Sequence, residues 1–146
     1  MSQLNYDVIV VPVDFSEESQ NALQTSLALA GDVSKLRVIH VLPPLEAISP
    51  AVVWGDLSDE HRIETVTKFA EKFLQTHGAT GASLDIRVGG PANEITEFAT
   101  EVNADLIVVS SHGYHGMKRF LLGSVAESVI RHAECAVLVL RRQDAE

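Results

Sequence analysis

Asp105-Leu106-Ile107-Val108-Val109-Ser110-Ser111-His112-Gly113, and after a short gap Gly123-Ser124-Val125-Ala126-Glu127-Ser128-Val129-Ile130-Arg131, decide how this chain folds. Leu106 to Val109 is a short apolar run with the length and β-branching of a buried strand. It ends in small residues, Ser110, Ser111 and Gly113. A glycine-bearing loop leads to Gly123-Ser124, and a helical pattern follows at Val125, Val129, Ile130 and Ala133. Strand, small-residue loop and helix start form an arrangement that holds anions. Glycine lets the backbone approach closely, and the first N–H groups of a helix have no partner within it. Ser124 has a second reading as the cap of that helix.

Working outward, the same alternation of strand and helix recurs along the chain. Tyr6 to Val13 reads as a first strand, and its unbroken run Val8-Ile9-Val10-Val11 predicts burial on both faces, as in a parallel sheet. Asp14-Phe15-Ser16 turns the chain. Ser16 is placed to cap a helix that carries Glu17 and Glu18 in its first turn and runs to about Gly31. Leu36 to Leu42 is a second strand, closed by Pro43-Pro44. The irregular stretch from Pro43 to Asp56 has two readings, a lid over a site or a plain crossover loop. Leu57 to His77 has helical periodicity, with Ile63, Val66, Ala70 and Phe73 in register. Leu84 to Val88 alternates apolar with Asp85 and Arg87, the mark of an edge strand. Pro91 suits the first turn of a helix carrying Ile95, Phe98, Ala99 and Val102. The last strand runs from Ala136 to Leu140. Five strands alternating with four helices predict a three-layer α/β fold with right-handed crossovers. The pattern alone leaves the strand order open.

The composition narrows the class. At 146 residues, 46% of them hydrophobic, the chain reads as one domain, residues 1–146, with a core of its own. The formal net charge of −9 disfavours nucleic acid and anionic membranes, and no basic run offsets it. No apolar run is long enough to span a bilayer, so no membrane insertion is expected. The opening residues carry no signal-peptide pattern. A single cysteine, Cys135, fits a reducing compartment, and the expected location is cytoplasmic. The overall charge also opposes an anionic ligand, so an anion site needs local help from N–H groups, a cation, or Lys118 and Arg119.

The spacing of the opening stretch resembles a known pattern. Ser110, two residues, Gly113, nine residues, then Gly123-Ser124 is similar to the ATP-binding signature of the universal stress protein family, with serine in place of the first glycine. Val10-Val11-Pro12-Val13-Asp14-Phe15-Ser16 resembles the family's first strand and loop, and Gly90-Pro91-Ala92-Asn93-Glu94-Ile95 its third strand-to-helix turn. Arg131 to Leu140 resembles its close. The resemblance implies a five-stranded parallel sheet of order 3-2-1-4-5, an adenine-nucleotide-binding Rossmann-like fold. Its topological switch point falls between strands 1 and 4. It implies ATP as ligand, with magnesium or manganese, held by Pro12, Val13, Asp14, Val41, Val109, Ser110, Gly113, Gly123, Ser124 and Val125. It further implies a nucleotide-dependent regulatory module in the stress response, with a possible regulated protein partner, and a homodimer through the strand Ala136 to Leu140.

Several of these residues have a second, structural reading. Asp14 either meets the nucleoside or makes an Asx turn ahead of the first helix. Val13 and Val41 either flank an adenine ring or belong to the core. Ser110 costs roughly 1–2 kcal/mol if the family glycine serves positive φ. If that glycine serves close approach, the hydroxymethyl group crowds the ligand instead. Other chemistry is not encoded. There is no Gly-x-x-x-x-Gly-Lys-Ser/Thr loop, no glycine fingerprint after the first strand, and no acceptor aspartate after the third. His112 with His115, and His132 with Cys135, lack the partners of a metal site. Cys135 opens a buried strand and does not read as a nucleophile. The sequence reads as a binding module without catalytic residues, with two alternatives left open: a slow ATPase, and an interaction protein that binds no nucleotide and regulates a partner through its dimer surface.

Overall fold

The computed structural model describes residues 5–45, 58–111 and 122–141. The strands are β1 (Ile9–Pro12), β2 (Leu36–Leu42), β3 (Ser83–Val88), β4 (Leu106–Ser110) and β5 (Ala136–Leu140). The helices are α1 (Glu17–Ala30), α2 (Asp59–Thr76), α3 (Pro91–Glu101) and α4 (Ser124–His132), with a short 3-10 turn at Val33–Lys35. The sheet is parallel throughout, in the order β3-β2-β1-β4-β5. The expected strand order and layer arrangement are both observed.

The local signals act as read. Ser16 caps α1, accepting the Ser19 N–H at 3.2 Å, with Glu17 and Glu18 behind it. Gly31 ends α1 at φ 71°, a left-handed turn that glycine adopts without steric cost. Ser58 caps α2 by accepting the His61 N–H, so the helix begins at Asp59. Leu57, where the pattern opened it, lies outside the described residues, as does most of the candidate lid from Pro43 to Asp56. β1 is shorter than expected. The Asp105 carboxylate takes the N–H groups of Asp7 and Val8, so the ladder starts only at Ile9.

Strand alternation divides the core in two. Ile9, Val11, Leu36, Val38, Leu106 and Val108 face one side of the sheet and pack against Ala22 and Leu23 of α1 and Phe73 and Leu74 of α2. Val10, Ile39, Ile107 and Val109 face the other side and meet Ile95, Phe98 and Ala99 of α3 and Ala126 and Val129 of α4. The central strands are thus buried on both faces, which is why their sequences read as unbroken apolar runs.

The two edges differ. On β3, Arg87 pairs with Asp85 at 3.1 Å and Glu101 at 2.5 Å, and lies over the Phe98 ring. The hydrogen bond from Arg87 holds the Glu101 carboxyl below its ordinary value. On β5, the edge is the half-buried apolar run Val137 to Leu140. No described helix is long and apolar enough to cross a membrane.

Leu23 is fully buried under the sheet, whereas Leu29 on the same helix is 43% exposed. Leu23→Ala is expected to cost about 2–5 kcal/mol in urea denaturation, and Leu29→Ala less than about 0.5 kcal/mol.

Candidate functional site

A cavity of about 500 Å³ opens at the carboxyl ends of β1 and β4. That is the size of a small-ligand cleft, and it sits at the switch point of the sheet. The end of β1 and its loop supply Pro12, Val13 and Asp14. Val41 comes from β2, Val109 and Ser110 from β4, and Gly123, Ser124 and Val125 from the start of α4. Every site residue named from the sequence that lies among the described residues therefore borders one cavity. Gly113, with His112, His115, Lys118 and Arg119, lies outside them.

The two ends of the loop between β4 and α4 are tied together. Ser111 donates its N–H to the Leu140 carbonyl at 2.8 Å, and its own carbonyl accepts the Gly123 N–H at 2.6 Å. Gly123, not Ser124, is the cap of α4, and it makes no side-chain capping bond. Ser124 is thus the first helical residue. The Gly123 N–H is engaged with Ser111, and among the described residues no side chain caps the first-turn N–H groups of Ser124 and Val125. These groups and the helix dipole make this rim the positive end of the cavity.

Ser110 is the last residue of β4. Among the described residues the non-glycine positions with positive φ are Phe15 and Asn103. Ser110 therefore carries no left-handed strain, and the first of its two alternatives does not apply. Its hydroxymethyl group borders the cavity, so its effect is steric or polar.

Asp14 does make the Asx turn. Its Oδ1 accepts the Ser16 N–H at 3.1 Å, the Ser16 hydroxyl, and the Ser19 hydroxyl at 2.5 Å. The turn and the cavity position coexist, because the same bonds that make the turn fix the side chain at the rim. Val13 is buried and Val41 half-buried, and each contributes to the core while lining the cavity. Phe15 follows Asp14 at φ 66°. Its ring packs at 4.9 Å and 5.3 Å against Phe69 and Phe73, edge to face.

The cavity also takes in Ser19, His40, Pro91 and Ile95, which pattern reasoning missed as site residues. A signal existed for Ser19. It is the third residue of a helix capped by Ser16, a position whose side chain reaches back toward the loop. His40 is a polar residue in an otherwise apolar stretch of strand, Val38 to Leu42. Pro91 and Ile95 reach the cavity only because α3 packs over β2 and β4, which no local pattern encodes. Cys135 lies apart from the cavity and half-buried; burial and the Asp105 carboxylate push its thiol up. The described lining carries one carboxylate and no lysine or arginine.

A parallel α/β sheet of order β3-β2-β1-β4-β5, with a cleft at its switch point bordered by the start of one helix and a clamped aspartate, defines a Rossmann-like fold. The chain belongs to the universal stress protein family, whose pattern it matches over residues 5–141. It is similar to universal stress protein MJ0531 of Methanocaldococcus jannaschii, with 34% identity covering 97% of this chain and 85% of that relative. Among solved structures it is similar to the hypothetical protein MJ0577, at 29% identity and TM-score 0.80, covering 97% of this chain and 100% of that one. It also resembles a universal stress protein solved in complex with cAMP, at 26% identity and TM-score 0.63, covering 96% and 100%.

Phe15 generates a test of the turn. A non-glycine residue at this φ costs roughly 1–2 kcal/mol, which alanine keeps and glycine relieves. Both Phe15→Ala and Phe15→Gly lose the ring contacts. Phe15→Gly is expected to be the more stable of the two by about 1 kcal/mol in urea denaturation, the reverse of the usual ranking.

Proposed function

We propose that this protein binds an adenine nucleotide, ATP with a magnesium or manganese ion, in the cavity between β1 and β4. In this reading it acts as a regulatory module rather than a catalyst. The observation that carries the proposal is the convergence of Pro12 to Asp14, Val41, Val109-Ser110 and Gly123 to Val125 on one cavity of nucleotide size. Val13 and Val41 flank the planar base by apolar contact. The Asp14 carboxylate accepts from the ribose hydroxyls. The N–H groups of Ser124 and Val125 and the Ser124 hydroxyl meet phosphate, with Gly113 on the same loop completing the signature. The cation offsets the repulsion between the acidic protein and the ligand, since the described lining holds no basic side chain. The similarity to a structure holding cAMP supports an adenine ligand.

The whole chain acts as one domain and pairs with a second copy through β5. The contrast between the charged β3 edge and the apolar β5 edge supports this choice. Nucleotide occupancy then sets the state that a regulated partner protein reads.

Calorimetric titration of the nucleotide-stripped protein with ATP, ADP, AMP and cAMP, with and without magnesium, tests the site. Saturable ATP binding is the expected result. Gly123 has φ −64° and ψ 153°, an extended conformation that valine also adopts. Gly123→Val therefore probes close approach rather than strain, and a loss of about tenfold or more in ATP affinity is expected. A folded wild type that binds no nucleotide sinks the proposal.

Sedimentation tests the pairing. Leu140 directs its carbonyl to β4, through the bond to Ser111, so by alternation Val139 directs its backbone groups outward. Val139→Pro removes one outward N–H and is expected to sediment as a monomer where the wild type is a dimer.

A further inference from the structure

The turn after β1 is built around one peptide group, the one joining Val13 to Asp14. Both of its ends are held by side chains. Its carbonyl oxygen lies 2.6 Å from Nδ1 of His40, and its N–H donates to Ser19 Oγ at 2.8 Å. A carbonyl oxygen only accepts, so Nδ1 carries the proton whether the ring is neutral or charged. The Val13 N–H on the other side continues the sheet to Ile39 at 2.9 Å. Asp14 Oδ1 is gripped in turn by Ser16 and Ser19. This peptide cannot rotate without breaking bonds at both ends.

The His40 ring is itself held. Its centroid lies 4.6 Å from that of Phe15, tilted by 34°. By strand alternation His40 shares the Val38 face of β2, opposite to Val41. A residue from the far side of the sheet thus controls the loop at the cavity mouth. Left-handed residues such as Phe15 persist only where their surroundings over-determine them, and the His40 bond and ring contact do so here.

We infer that His40 is a positioning residue for nucleotide binding: by clasping the Val13 carbonyl it sets the Val13–Asp14 peptide and so aims the Asp14 carboxylate at the sugar hydroxyls of the ligand. The inference rests on the reading of the cavity as an adenine-nucleotide site with Asp14 at the ribose. Its effect is preorganisation. A carboxylate already in place gives up less freedom when the ligand arrives.

The test compares ATP with dideoxy-ATP, which lacks both ribose hydroxyls, by calorimetric titration of the full chain. Wild type is expected to prefer ATP by about tenfold or more. His40→Asn places an amide N–H where the ring carries Nδ1, whereas His40→Gln places it one bond further out. Asn is expected to keep the preference within about twofold, and Gln to lose at least about fivefold of it, the loss falling mainly on ATP rather than on dideoxy-ATP. If His40→Gln fails to fold, His40→Phe, which keeps a ring beside Phe15 and lacks Nδ1, takes its place; Ser19→Ala frees the other end of the same peptide and also removes a direct bond to Asp14 Oδ1. Combined with His40→Gln, it is expected to show less than the product of the two single losses, because both side chains hold one group.

A folded His40→Gln that keeps the ATP preference overturns the inference. So does a loss shared equally by both ligands, which marks a general packing role. Wild type that binds both ligands equally overturns the placement of Asp14 at the sugar and the inference with it. Wild type that binds neither overturns the nucleotide reading itself.

Discussion

The pairing of β1 with β4 is the contact on which the molecule depends. Ile9 lies beside Leu106 and Val10 beside Ile107, although about two-thirds of the chain separates them. Asp105 secures the junction. Its N–H donates to the Val8 carbonyl at 3.0 Å, and its carboxylate takes the N–H groups of Asp7 and Val8. From β1 the chain moves outward through β2 to β3, then returns to β4 and continues to β5. Crossovers of one hand, travelled in opposite directions, place α1 and α2 on one face and α3 and α4 on the other. The loops after β1 and β4 therefore leave in opposite directions, and a crevice opens where they part.

The crevice is built from unlike halves. One rim is a clamped turn in which two serine hydroxyls, a histidine and three aromatic rings hold a single aspartate and the peptide before it. The other rim is a helix start without a side-chain cap, tied to β4 by the bond between Gly123 and Ser111. A rigid acceptor thus faces a set of backbone donors across an apolar floor of Val13, Val41 and Val109. Such a division suits a ligand that combines a flat apolar ring, hydroxyl donors and an anion.

The edges of the sheet are managed with equal asymmetry. β3 is short of apolar surface and carries Arg87 among Asp85, Glu94 and Glu101. Inserted charge of this kind discourages strand addition. β5 carries no charge between Ala136 and Leu140.

Most of the fold was legible in the sequence because its signals act over a few residues. The apolar runs, the Ser16 cap, Gly31 and Pro91 each determine local geometry through near neighbours, and the elements fall where those signals lie. The spacing from Ser110 to Gly123-Ser124 likewise singled out two segments, the end of β4 and the start of α4, that border the cavity. Other features depend on groups brought together from afar, and only the tertiary structure decided them. β1 is short because Asp105 captures its first N–H groups. Ser110 escapes strain because it ends a strand rather than starting a turn. Gly123 takes the capping position because its N–H is bound to Ser111. His40 enters the site because pleating turns its ring toward Val13 and Phe15. A sequence states which backbone conformations its residues prefer. Which polar groups find each other across the sheet is settled by strand order and register, which arise only when the whole chain has closed on its core.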